Sequence, residues 1–113
     1  MISVPDPPAQ PRCYVEHHVD MTSAEKRIEI DFRWSLPVRT NGEIRNYVVS
    51  HSTNSAHGPW GSEQRVRNGM SFDVTSAHEN TVYYFRVKAC TRGTCSEYTV
   101  PVSANTTGFT FIS

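Results

Sequence analysis

Residues 28–34 read Ile-Glu-Ile-Asp-Phe-Arg-Trp, so apolar and charged side chains alternate along the stretch. A period of two places successive side chains on opposite faces of a β-strand, and the apolar face then packs on a core. Residues 83–89, Tyr-Tyr-Phe-Arg-Val-Lys-Ala, repeat the pattern. The two stretches therefore predict two amphipathic strands, with Trp34 and Phe85 facing inward.

Five shorter stretches favour further strands. In chain order they contain Cys13 with Val15, Ile44 with Tyr47 and Val49, residues 64–67, Phe72 with Val74, and Tyr98 with Val100 and Val102. Asn-Gly pairs at 41–42 and 68–69 suit tight reversals, because glycine adopts positive φ at little steric cost. No window keeps a helical period for more than a turn. The sequence therefore predicts an all-β chain, either a two-sheet sandwich or a small barrel.

The composition limits the classes of function. The chain has 113 residues, with eleven basic and eleven acidic side chains. This balance disfavours a nucleic-acid-binding module, which normally has a basic surplus. No apolar run reaches the roughly 20 residues of a membrane-spanning helix, and we expect no secretory signal within the chain. We predict one domain at residues 11–105, preceded by a Pro-rich linker at 1–10 and followed by a C-terminal linker at 106–113.

Three motifs occur together at spacings that resemble a fibronectin type III domain. They are Trp34, the Ile-x-x-Tyr-x-Val run at 44–49 and the Tyr-x-Phe-x-Val-x-Ala run at 83–89. The resemblance covers residues 5–107. It implies an immunoglobulin-like sandwich of seven antiparallel strands, in which A, B and E face G, F, C and C′. The implied centre of the core consists of Trp34, Tyr47, Tyr83 and Phe85.

The same resemblance makes Tyr83 the tyrosine corner, whose hydroxyl returns to nearby backbone. Six residues earlier the family usually has a leucine, and this chain has Ala77. We therefore expect Val74 or Met70 to fill the space. A true immunoglobulin domain would have a cysteine where Phe85 stands, so the type III topology is favoured over that alternative.

Two of the three cysteines lie at the facing ends of the sixth and seventh predicted strands. Antiparallel neighbours bring Cα atoms within disulfide reach, so we predict a Cys90–Cys95 disulfide and an oxidising compartment. The alternative is a pair of reduced thiols in a cytosolic protein. Cys13 is left over. We expect it to point inward as a small apolar side chain, and a bond to another domain or chain is the alternative.

The sequence predicts no enzyme, no cofactor and no metal site. Adjacent His17 and His18, with Cys90 and Cys95, have the ligand types of a zinc site, but neighbouring strand residues point to opposite faces. No phosphate-binding loop and no catalytic constellation is recognisable. The single Asn-x-Ser/Thr sequon predicts a glycan on Asn105.

We therefore expect an extracellular protein-interaction and spacer module of a larger cell-surface receptor or adhesion protein. Its partners would be other proteins and neighbouring domains rather than nucleic acid, in a parent protein anchored to the membrane without insertion of this domain. The disulfide-closed F–G loop resembles that of type III domains in sevenless-type receptor tyrosine kinases and usherin-like matrix proteins. The alternatives are a spacer in a secreted carbohydrate-active enzyme and an intracellular structural type III domain.

Tyrosine and arginine are enriched in binding hot spots, which directs attention to two surfaces. The outer face of strand F and the loops at one end of the sandwich contain the candidate contact residues Tyr84, Arg86, Lys88, Arg39 and Arg92. Trp60 follows a Gly-Pro pair, and we expect its ring to fold over the sheet.

Overall fold

The computed structural model describes residues 4–19, 21–23 and 25–107. The strands are β1 (Ala9–Val19), β2 (Lys26–Ser35), β3 (Asn46–Ser52), β4 (Gln64–Val66), β5 (Ser71–Ala77), β6 (Val82–Cys90) and β7 (Val102–Asn105). They form two antiparallel sheets, ordered β1-β2-β5 and β4-β3-β6-β7. This arrangement confirms the predicted sandwich of A, B and E against C′, C, F and G. Within the described ranges, no helical segment has the length and apolar character needed to cross a membrane.

The core lies between the two sheets and is aromatic at its centre. The Phe32 and Phe85 rings, one from each sheet, have centroids 5.1 Å apart. Trp34 is only 1% exposed, and its ring meets Tyr47 edge-on at 5.3 Å. Alternation along β2 and β6 places these side chains inward, because every second residue of a strand shares a face. All four predicted core residues belong to this cluster: Trp34, Tyr47, Tyr83 and Phe85.

The closing strand differs from the prediction. Instead of beginning near Tyr98, β7 begins at Val102, and Val100 is 83% exposed. The preceding segment runs beside β6, but the hydroxyls of Ser96 and Thr99 accept hydrogen bonds from the β6 backbone, at 2.9 and 3.1 Å. The backbone N–H groups of the same two residues still donate to the Ala89 and Val87 carbonyls, at 2.8 and 2.9 Å, so the hydroxyls replace only the return bonds of the backbone ladder. The strand period of two is therefore lost there.

The turn between β5 and β6 is closed by a hydroxyl. The Tyr83 Oη accepts a hydrogen bond of 2.8 Å from the backbone N–H of His78, which is the predicted tyrosine corner. Val74 packs against the core near Ala77, as expected, whereas Met70 is 42% exposed and does not fill the space. A residue that the sequence analysis did not single out also packs in this region. The His51 ring lies 6.3 Å from the Tyr83 ring centroid.

The first and last segments that the structure describes are attached to opposite ends of the sandwich. The backbone N–H of Asp6 donates to the Arg39 carbonyl at 2.9 Å, in the β2–β3 loop. Thr106 is buried, and its hydroxyl donates to the His78 carbonyl at 2.7 Å, in the β5–β6 turn.

Candidate functional site

The outer face of β6 contains a cation between two aromatic rings. Tyr84, Arg86 and Lys88 face away from the core, as predicted from the alternation of β6. The guanidinium carbon of Arg86 lies 4.1 Å from the centre of the Trp60 ring and 3.9 Å from that of Tyr98. Arginine stacks well on aromatic faces because its guanidinium is planar and delocalised. Trp60 folds over the sheet, as expected.

Three further residues contact this arrangement: Ser50, Lys88 and Glu63. The Arg86 Nε donates a 2.9 Å hydrogen bond to the hydroxyl of Ser50, which is fully buried. On the far side of Tyr98, the Lys88 Nζ lies 4.8 Å from the ring centre and 3.4 Å from a Glu63 carboxylate oxygen. We call the set Trp60, Arg86, Tyr98, Lys88 and Glu63 the outer stack.

Contacts within the outer stack shift the pKa values of Glu63 and Tyr98. The Tyr98 hydroxyl donates to Glu63, and this bond, followed by the charge of Lys88, lowers the pKa of the Glu63 carboxyl. Burial, followed by the same hydrogen bond, raises the pKa of Tyr98. The cations of Arg86 and Lys88 are thus engaged inside the domain. Their predicted contact with a partner remains a prediction. In the structure Arg86 contacts Trp60, in the loop after β3, and both cations contact Tyr98, in the segment before β7.

The sequence singles out Arg86, Lys88 and Trp60 of the outer stack but not their meeting with Tyr98 and Glu63. Ser50 occupies a strand position that is ordinary in sequence, and Glu63 lies in a loop. Tyr98 was assigned to the alternation of the closing strand. The signal that could have identified the stack is the exposed alternation of β6, which places two cations on a face that large aromatic side chains from flanking loops can cover.

The two predicted loop arginines lie at one end of the sandwich. Arg39 and Arg92 are exposed, in the β2–β3 loop and in the loop after β6, respectively. These loops touch: a Cβ added to Gly42, whose φ is +142°, would lie 3.4 Å from the Thr91 side chain. Two apolar side chains, Leu36 and Val38, are 54% and 84% exposed in the same loop region. We call Arg39, Arg92 and Val38 the loop-end surface.

The loop that contains Arg92 is closed by the predicted disulfide. Cys90 and Cys95 are bonded to each other and form an antiparallel bridge. Within the ring, the backbone N–H of Thr91 donates to the Thr94 carbonyl at 2.8 Å. Because both cysteines are in the disulfide, neither is available to bind zinc together with His17 and His18. The disulfide therefore restricts the backbone conformation of the short loop that contains Arg92.

Cys13 lies half-buried on β1, where it packs against the core as expected, and its thiol is free. Burial, assisted by the nearby charge of Asp31, raises the pKa of this thiol to about 12.

At the other end of the domain, Asn105 is exposed on β7, and its side-chain oxygen accepts a 2.8 Å hydrogen bond from the backbone N–H of Thr107. The predicted glycan on Asn105 remains a prediction.

Comparison with known proteins agrees with this architecture. Residues 11–105 match the family described as the fibronectin type III domain. A curated relative is the proto-oncogene tyrosine-protein kinase ROS of Gallus gallus, 27% identical over 94 residues. That match covers 78% of this chain and 4% of the kinase, so the chain corresponds to a small part of its relative.

Similar solved structures come from several kinds of protein. The sixth fibronectin type III domain of human fibronectin type III domain containing protein 3 is 18% identical with a TM-score of 0.71, covering 98% of this chain and 93% of that one. Domains A168–A170 of titin give 23% identity and a TM-score of 0.70, covering 93% of this chain and 33% of that one. The twitchin kinase region of C. elegans gives 19% and 0.63, covering 92% and 17%. At these identities the likeness establishes the fold.

Proposed function

Because the chain belongs to the fibronectin type III domain family, whose member domains are non-catalytic modules, we propose that it is an extracellular protein-interaction and spacer domain of a larger cell-surface receptor or adhesion protein. The observation that carries the proposal is the Cys90–Cys95 disulfide. Disulfides persist in oxidising compartments and are rare in the cytosol. The similarity to a small part of a receptor-type kinase supports the same context.

The spacer role follows from where the chain enters and leaves. Asp6 is hydrogen-bonded to Arg39 at one end, and Thr106 to His78 at the other. A domain with termini at opposite ends extends a multidomain chain by its own length. The hydrogen-bonded ends would limit its rotation against its neighbours.

The interaction role is assigned to the loop-end surface. The side chains of Arg39 and Arg92 are exposed, whereas Arg86 and Lys88 are engaged in the outer stack. Exposed arginines beside exposed apolar side chains suit a partner protein whose surface has carboxylates around an apolar patch. Tyr84, half-buried on β6, is the candidate contact on the sheet face itself.

The experiment is a binding screen of the 113-residue chain against an array of extracellular domains. We expect Arg39→Ala and Arg92→Ala each to weaken a captured partner by about tenfold or more, since a lost contact of about 1.4 kcal/mol is tenfold in affinity. The matched control is Arg27→Ala, an exposed arginine on β2. Binding that is equally strong in all three variants would remove the loop-end surface from the proposal, and Tyr84→Ala tests the sheet face in the same way.

An intracellular structural domain is the second candidate. The specific observation in its favour is the structural likeness to titin and twitchin domains, although this likeness concerns the fold alone. In that setting Cys90 and Cys95 would be reduced. No observation favours the carbohydrate-active-enzyme spacer over these two candidates.

A further inference from the structure

Three side chains of metal-ligating types converge on the outer face of the β1-β2-β5 sheet. Glu16 and His18 are two residues apart on β1 and therefore share a face. Glu29 on β2 stands directly opposite Glu16 in the strand register. The convergence is thus set by regular strand pairing rather than by a loop, and the three positions are held by the backbone ladder.

The distances differ from those of a hydrogen-bonded ion pair. The His18 Nε2 lies 3.4 Å from a Glu16 carboxylate oxygen and 3.3 Å from one of Glu29. Charge-assisted N–H···O bonds are shorter, about 2.7–2.9 Å. This nitrogen is shielded from solvent and has no hydrogen-bond partner among the residues that the structure describes. It therefore faces two carboxylate oxygens at ion-pair distance without a hydrogen bond to either.

The same distances fit a tetrahedral metal site. Zinc–nitrogen and zinc–oxygen bonds of about 2.0–2.1 Å place ligand atoms roughly 3.3–3.4 Å apart at tetrahedral angles. One ligand atom from each of Glu16, His18 and Glu29 lies within 4.8 Å of the other two. Two of the three separations already have the tetrahedral value, and the third can close by a carboxylate rotation.

Electrostatics favour a cation at this point. Glu16 and Glu29 are like charges directly opposite each other on adjacent strands, an arrangement that destabilises a sheet. A second like-charged pair, Asp31 opposite Asp73, lies further along the same sheet. Arg33 pairs with Asp31 at 2.6 Å, whereas the two glutamates lie beside His18, and Arg27 stands opposite His18 in the register. A dication between them would replace repulsion with attraction on both sides.

We propose that Glu16, His18 and Glu29 bind a zinc-class divalent cation through the His18 Nε2 and one oxygen from each glutamate. Water completes the tetrahedron. An imidazole nitrogen with two carboxylates suits zinc and neighbouring transition metals better than magnesium, which prefers all-oxygen octahedral sites. The site bridges β1 and β2 and does not depend on the proposed partner surface.

The test is calorimetric titration of zinc chloride into the 113-residue chain at pH 7.5. All variants include Cys13→Ala, so that the lone free thiol cannot contribute. We expect one saturable site per chain, at least tenfold weaker in His18→Ala and in Glu29→Gln. Glu29→Gln keeps the side-chain shape and so protects the test against misfolding. The matched control is His57→Ala, an exposed histidine in the loop after β3, which should bind like the parent chain.

A second readout is the thermal unfolding midpoint. A ligand that binds the folded state alone raises that midpoint. We expect zinc to raise it in the parent chain and in His57→Ala but not in His18→Ala, and magnesium to leave all three unchanged. If zinc fails to bind saturably, or binds His18→Ala as well as the control, then His18 and the two glutamates form a surface ion-pair cluster and the proposal is wrong.

Discussion

Arg86 places its guanidinium carbon 3.9 Å from the centre of the Tyr98 ring, and Trp60 covers its other face. The contact joins β6 to the irregular segment that precedes β7. That segment is bonded to β6 through the backbone N–H groups and the hydroxyls of Ser96 and Thr99, and the outer stack adds side-chain contacts on the outer face. A cation that sequence alone marks as a partner contact is here part of the domain's own structure.

Removing this cation is expected to destabilise the fold. Arg86→Ala loses two cation–π contacts of about 0.5–1 kcal/mol each and the hydrogen bond from its charged guanidinium to the buried Ser50 hydroxyl, which contributes about 1.5–3 kcal/mol. We expect the free energy of unfolding in urea to fall by about 2.5–5 kcal/mol. The control Arg92→Ala alters an exposed loop arginine and should stay within about 0.5 kcal/mol of the parent chain. Equal stability of the two variants would contradict the structural role of Arg86.

The tyrosine corner gives a smaller and cleaner effect. Tyr83→Phe removes the hydroxyl that accepts from the His78 backbone and leaves the ring in the core. A net loss of about 0.5–1.5 kcal/mol is expected for one such hydrogen bond. Tyr84→Phe, on the opposite face of the same strand, is the matched control. Denaturant unfolding of both variants measures the difference, and a Tyr83→Phe protein as stable as Tyr84→Phe would show that the bond contributes nothing.

His51 should make stability depend on pH. Its ring lies near the rings of Phe72 and Phe85, and burial lowers the pKa of its imidazole below the ordinary 6.5. The unfolded chain then binds more protons than the folded one as the pH falls through 6.5. The contribution of His51 to stability is therefore complete above that pH and is lost progressively below it.

The measurement compares the free energy of unfolding at pH 7.5 and 5.5. We expect the loss of stability between these pH values to shrink in His51→Phe, which keeps a ring in place but cannot be protonated. His57→Ala, an exposed histidine elsewhere on the same chain, should keep the loss of the parent protein. A His51→Phe variant with an unchanged pH dependence would mean that the histidine is protonated as readily in the fold as outside it.

Cys13 should react slowly while the domain is folded. Because its pKa is raised from 9.0 to about 12, the reactive thiolate is scarce at pH 8. Alkylation by iodoacetamide, followed by mass spectrometry, is expected to be about a thousandfold slower in native buffer than in urea, since each pKa unit changes the thiolate population about tenfold. Similar rates in the two solvents would place the thiol at the surface.

The sandwich was predictable because its two central strands alternate without interruption. Over residues 28–34 of β2 and 83–89 of β6, each inward position is apolar and each outward position is polar or aromatic, so Trp34 and Phe85 could be assigned to the core from spacing alone. The disulfide followed from the positions of Cys90 and Cys95 at facing strand ends. These features depend on local periodicity and on neighbours in the chain.

Features that depend on side chains from distant loops were not predictable. The closing strand was placed too early because the sequence does not reveal that Ser96 and Thr99 would bond to β6 through their hydroxyls. His51 looks like a polar residue at the end of a strand, yet the inward phase of β3 turns it toward the core. The meeting of Glu16, His18 and Glu29 depends on the register of β1 against β2, which hydrophobic alternation leaves undetermined by steps of two residues.

The state of Cys90 and Cys95 in the parent protein tests the proposed extracellular role most directly. The protein is recovered from its own cells into an alkylating denaturant and digested with trypsin without reduction. Cleavage after Arg92 separates the two cysteines, so a disulfide would leave the peptide of residues 89–92 joined to the one that begins at Gly93. We predict this joined pair, with alkylation confined to Cys13 among the three cysteines. Three alkylated cysteines and two separate peptides would contradict the account and favour an intracellular domain.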